Sequence, residues 1–193
     1  MKRITVFCGS SSGFSEIYKT KAFQLGQTLA KHNIEMVYGG ACVGLMGAVA
    51  DGVLKEGGKV IGVIPSFLKT KEIAHTHLTE LITVNSMHER KIKMHELSDG
   101  VIALPGGYGT MDELFEMLTW GQLGLHKKPI GVYNMNNFYE SLFQHIQTMV
   151  EHGFLKDINR KMLLLSDDIE NLLSQMNNYK ASECSKWITK ESV

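Results

Sequence analysis

Three times in this chain a short apolar run ends in small residues, mostly glycine, and gives way to a segment of helical length. Residues 4–8 precede Gly9-Ser10-Ser11-Ser12-Gly13, residues 36–38 precede Gly39-Gly40, and residues 101–104 precede Pro105-Gly106-Gly107-Tyr108-Gly109-Thr110. An apolar run without polar alternation suits a strand covered on both faces, and a helix after each strand returns the chain to lay the next strand parallel. The pattern therefore predicts an α/β fold on a parallel sheet. Strands are expected at residues 4–8, 36–38, 60–64, 81–84, 101–104 and 130–133. Helices are expected at residues 15–32, 44–55, 87–97, 111–123 and 139–152. Residues 65–79 read as a loop, and the stretch after residue 153, including 169–176, as helical or irregular. With 193 residues and no internal repeat or linker-like tract, the chain reads as one domain, residues 1–193.

Charge and cysteine content narrow the function. Lys and Arg number 20 and Asp and Glu also 20, so the formal net charge is zero. That disfavours broad attraction to nucleic acid or an anionic membrane, while leaving room for a local site for one phosphate. No apolar stretch approaches the roughly 20 residues of a membrane span. The apolar run after Met1-Lys2-Arg3 is too short for a secretion signal. Cys8, Cys42 and Cys184 are scattered without metal-site spacing, which points to a reducing cytoplasm rather than to zinc or a disulfide framework.

In open α/β sheets ligands bind beyond the carboxyl ends of the strands, so the glycine loops are where chemistry is expected. The loop from Pro105 to Thr110 is the most informative. Its glycines let backbone N–H groups converge on an anion, and the helix start behind them adds unpaired N–H groups and partial positive charge. Thr110 can cap that helix or donate its hydroxyl to phosphate. The spacing is not a dinucleotide fingerprint, because Asp112 stands where the third glycine would be, and no G-x-x-x-x-G-K-[ST] loop is present. A monophosphate suits the loop better than NAD or ATP.

Asp112, Glu113 and Glu116 are expected in the first turn of the next helix, where acids complement the helix dipole. A phosphate in the loop would repel them, so at least one carboxylate should face something else. A carboxylate near a sugar carbon can stabilise the positive charge that develops there and can orient water, and Glu113 is the candidate. In the helix expected at 87–97, Met87, Met94 and Leu97 share one face, and Arg90 lies inside that stripe. An inward guanidinium needs a partner, which phosphate or a carboxylate would supply. Lys91, one residue on, reads by itself as solvated. Most of the eight histidines read as surface residues.

Ser86-Met87-His88-Glu89-Arg90-Lys91 followed by Pro105-Gly106-Gly107-Tyr108-Gly109-Thr110-Met111-Asp112-Glu113 resembles the LOG ("lonely guy") family of cytokinin riboside 5′-monophosphate phosphoribohydrolases. The family pattern P-G-G-x-G-T-x-x-E is matched at every fixed position. Gly39-Gly40, Gly44-Leu45-Met46-Gly47 and Trp120-Gly121-Gln122-Leu123-Gly124 are also similar. The resemblance implies a Rossmann-like, doubly wound parallel sheet with helices on both faces, a homodimer, and release of free base and ribose 5-phosphate from an AMP-type nucleoside 5′-monophosphate. It places the family's essential arginine and glutamate on Arg90 and Glu113. It places substrate contacts on Glu72, Lys91, the run Gly106, Gly107, Tyr108, Gly109, Thr110, Met111 and Asp112, and Thr119. Proteins of this kind often carry the label lysine decarboxylase, but nothing in the sequence reads as a site for pyridoxal phosphate, and neither cofactor nor metal is expected. The competing expectations are a nucleotide-binding protein of the same fold without turnover and, more remotely, a nicotinamide-linked redox enzyme.

Overall fold

The computed structural model describes residues 1–69 and 74–181. Within them seven parallel strands form one sheet. In chain order the elements are β1 (Arg3–Phe7), α1 (Glu16–Lys31), β2 (Glu35–Tyr38), α2 (Gly44–Lys55), β3 (Val60–Pro65), β4 (Glu80–Val84), α3 (Met87–Glu96), β5 (Gly100–Ala103), α4 (Tyr108–Gln122), β6 (Ile130–Tyr133), α5 (Glu140–Glu151), α6 (Asp157–Arg160), β7 (Leu163–Ser166) and α7 (Ile169–Asn178). The strands lie in the order β4-β3-β2-β1-β5-β6-β7.

The apolar runs become strands because helices cover both faces of the sheet. One core gathers Leu25 and Leu29 of α1, Val49 and Val53 of α2 and Leu172 of α7. The other gathers Met94 of α3, Leu114 and Met117 of α4 and Ile146 of α5. Strands β3, β5 and β6 are buried at every position, whereas edge strand β4 alternates between exposed and half-buried. The doubly wound α/β expectation is met. No helix among the described residues is long and apolar enough to cross a membrane.

Two expectations need correction. Residues 163–166, expected to be helical or irregular, form edge strand β7, paired to β6 from Ile130↔Leu163 to Tyr133↔Ser166. The run Leu163-Leu164-Leu165 is a strand signal too short to stand without a neighbour. Helix α4 begins at Tyr108, three residues before the expected start at 111. Gly107 is its N-cap, so half of the expected glycine loop is already helix.

Candidate active site

Strand order reverses at β1, which pairs with β2 on one side and β5 on the other. The crevice beyond the carboxyl ends of β1 and β5 is therefore the expected ligand site of such a sheet. The loops there are pinned by main-chain bonds. Gly9 N–H donates to the Pro105 carbonyl at 3.0 Å, and Leu45 N–H to the Gly9 carbonyl at 3.1 Å. The buried Tyr139 hydroxyl donates to the Leu104 carbonyl at 2.6 Å, fixing the end of β5. Gly106 has no room for a side chain, since a Cβ there would collide with the Thr110 side chain and come within 2.9 Å of the Gly9 nitrogen.

A cavity of about 360 Å³ opens in this crevice. Its wall is the start of α4, contributed by Gly107, Tyr108, Gly109, Thr110 and Glu113. Arg90, Met87 and Met94 of α3 face it from the other side, with Cys8 and Ser10 below. Nothing caps α4 through a side chain, so its first N–H groups are available to an anion. Because the helix starts early, its first turn contains no acid. The expectation that Asp112, Glu113 and Glu116 occupy that turn is thus corrected. They stand in the second and third turns, where complementing the dipole no longer explains them.

Glu113 is half-buried, and burial is the main cause that pushes its carboxyl up to about 7. Arg90 and Lys91 pull it down, while Asp112 and Glu116 push it further up. Arg90 is 6% exposed, inward as expected, but among the described residues no anionic partner holds it. Its Nε donates to the Val63 carbonyl at 3.1 Å and its Nη2 to the Gly39 carbonyl at 3.2 Å. A side chain at residue 39 would occupy the guanidinium's place, which explains the glycine. Among the described residues Nη1 meets only the Met87 sulfur, at 3.8 Å, and is the donor turned to a ligand. Burial and the Glu113 charge push the Cys8 thiol up, so it stays protonated and is no nucleophile.

The cavity therefore brings together Arg90, Glu113, Gly107, Tyr108, Gly109 and Thr110. Gly106 lines a neighbouring hollow of about 300 Å³ beside Ser11 and Phe138. Lys91, expected to be solvated, is instead buried, and its ammonium lies 3.2 Å from Asp112 and 3.0 Å from Glu116. Lys91, Met111 and Asp112 do not line the cavity. Thr119 is exposed farther along α4, where its hydroxyl donates to the Phe115 carbonyl at 2.8 Å. Glu72 lies outside the described residues. Sequence reasoning missed Cys8, Gly39, Met46, Leu68 and Met94 as lining residues. Those at strand ends were findable from the rule that places ligands there. No group of three or more His, Cys, Asp or Glu that could hold a metal occurs among the described residues.

Residues 46–176 match the family model described as "Possible lysine decarboxylase". The cytokinin riboside 5′-monophosphate phosphoribohydrolase LOG2 of Arabidopsis thaliana is 44% identical over 178 residues, covering 92% of this chain and 84% of the relative. LOG7 of the same plant is 44% identical over 179 residues, covering 93% and 82%. Among solved structures, the molybdenum cofactor binding protein of Rippkaea orientalis superposes with a TM-score of 0.70 at 23% identity, covering 92% of this chain and 97% of that one. The Moco carrier protein of Chlamydomonas reinhardtii gives 0.68 at 19%, covering 91% and 95%. At such identities the two structures speak for the fold alone.

Proposed function

This chain belongs to the LOG family of cytokinin riboside 5′-monophosphate phosphoribohydrolases, and we propose on that footing that Glu113 and Arg90 carry the hydrolysis of adenosine 5′-monophosphates, N6-substituted ones included. The products are the free base and ribose 5-phosphate. One observation supports this assignment above the others: Glu113 faces the same cavity as the uncapped start of its own helix. About 6 Å of helix separates Gly109 from Glu113, the scale of a ribose.

The 5′-phosphate docks on the N–H groups of Gly109 and Thr110 and on Arg90 Nη1. Water attacks C1′ as the C1′–N9 bond breaks. The bonding pair leaves with the base, which takes up a proton, and the attacking water gives one up. The sugar carries positive charge at the transition state, and an ionised Glu113 stabilises it and orients the water. Burial favours that charge–charge contact, because little solvent remains to screen it. Arg90, fixed by two carbonyls, keeps its position whether or not phosphate is bound. Substrate contacts by Lys91, Met111, Asp112 and Thr119 draw less support, since none faces the cavity. The two sites of a homodimer in a reducing cytoplasm complete the reading, supported by the family resemblance and by the absence of any disulfide at Cys8 and Cys42.

Decarboxylation through pyridoxal phosphate does not fit these residues. That chemistry needs a lysine facing the ligand. Among the described residues the cavity lining contains none, and Lys91 is committed to two carboxylates. Against a binding protein without turnover stand the relatives, which are named as phosphoribohydrolases. The test is to incubate the protein with AMP and isopentenyl-AMP and assay ribose 5-phosphate. Glu113→Gln and Arg90→Ala each lower product formation about a thousandfold while circular dichroism stays unchanged. Full turnover in both variants would remove this site.

A further inference from the structure

We propose that Lys91 is a positioning residue, which clamps the second and third turns of α4 to α3 and offsets part of the charge of the two acids on either side of Glu113. The inference rests on the reading of Glu113 as the reacting carboxylate. Lys91 and Arg90 are consecutive on α3, yet they serve different neighbours. Arg90 faces the cavity, whereas the Lys91 ammonium reaches Asp112 Oδ2 at 3.2 Å and Glu116 Oε1 at 3.0 Å. These acids are one helical turn apart and bracket Glu113 in sequence. The Lys91 side chain is only 10% exposed, so it cannot leave its partners for water without opening the contact between the helices.

The pairing is needed from both sides. A buried ammonium without a carboxylate is costly. Glu116 in turn has its second oxygen buried and without a hydrogen bond, so Lys91 is what answers its charge. Burial pulls the ammonium down, but Glu116 and Asp112 outweigh burial and keep it above its ordinary value. The groups acting on Glu113 are Arg90 and Lys91 from α3, Asp112 and Glu116 from its own helix, and the Cys8 thiol beyond the end of β1. Without Lys91, the largely buried Glu116 carboxylate would press on Glu113 and on an incoming phosphate, with solvent-exposed Asp112 adding less. With it, three carboxylates sit on two turns of one helix while Glu113 can still ionise near neutrality.

The experiment follows the Glu113 carboxyl by carbon-13 NMR in ligand-free protein, its signal identified by its loss in Glu113→Gln. Lys91→Met moves the titration to higher pH by about one unit, and the acid limb of kcat/KM moves with it. Glu116→Gln moves the titration to lower pH, and Lys91→Arg, which keeps the charge, restores the wild-type value. Glu116→Gln carries the test if Lys91→Met fails to fold. An unmoved titration in folded variants overturns the proposal, and so does lost turnover in Lys91→Met with Glu113 unmoved, which would make Lys91 a substrate contact. The titration needs no substrate, so a wild-type protein that hydrolyses no nucleotide counts against the hydrolase reading and leaves this readout intact.

Discussion

A carboxylate that must be charged to act, yet is buried enough to resist charging, makes Glu113 a site where function opposes stability. Its carboxyl titrates at about 7 in the folded protein against an ordinary 4.5. Across that window the folded state holds a proton that the unfolded chain has already released. Stability therefore falls as pH rises from about 4.5 to about 7 and is flat above. Glu113→Gln removes this dependence. Thermal melts at pH 8 should show the inactive variant more stable than wild type, with the gap closing at pH 4. An equal gap at both values would mean that Glu113 is not desolvated. Arg90 shows another residue-scale feature. Its charge is held by carbonyl dipoles within β3 and just after β2, which fix the side chain without neutralising it. A carboxylate partner would have fixed it equally well and left less positive charge for phosphate.

At the level of elements, the site is a meeting of two helix starts. The N-terminus of α4 offers bare N–H groups, whereas that of α3 is closed by its own side chains. Ser86 Oγ accepts from Glu89 N–H at 3.1 Å, and Glu89 Oε2 accepts from Asn85 N–H at 2.8 Å. This contrast follows from the residues, since Gly107 at the N-cap of α4 has no side chain with which to compete against a ligand. Ser86→Ala should destabilise the protein by about 1 kcal/mol in denaturant titration. Turnover by the folded fraction should survive, because Arg90 is anchored on the strands. A matching loss of turnover would show that the cap itself sets the position of Arg90.

Over the whole molecule, two cores lie on opposite faces of one sheet, and both reach the cavity, through Val6 and Met46 on one face and Phe7 and Met94 on the other. The core under α1, α2 and α7 extends beneath the flank formed by β6 and β7, away from the switch at β1. Leu172 of α7 is fully buried there, and a side chain on Gly131 of β6 would come within 3.1 Å of it. Leu172→Ala should cost about 2–5 kcal/mol. Activity per folded molecule should stay at the wild-type level, measured below the lowered melting temperature. Lost activity at full folding would mean that this flank is coupled to the site.

Local pattern sufficed for much of this. Apolar runs before glycines read as buried strands feeding tight turns, so the α/β sheet and the inward Arg90 followed from spacing, whereas the start of α4 at Tyr108 did not. What spacing does not contain is the partner. Val63 and Gly39 lie 27 and 51 residues from Arg90, and no periodicity along α3 names them. Lys91 turns inward only because α4 brings Asp112 and Glu116 to meet it, 21 residues away in the case of Asp112. Strand β7 exists only because β6 offers it an edge. Helical phase tells which way a side chain points, and hydrophobicity tells whether it is buried. The charge state of Glu113 depends on what else is packed around it, and that is fixed when the chain closes on itself.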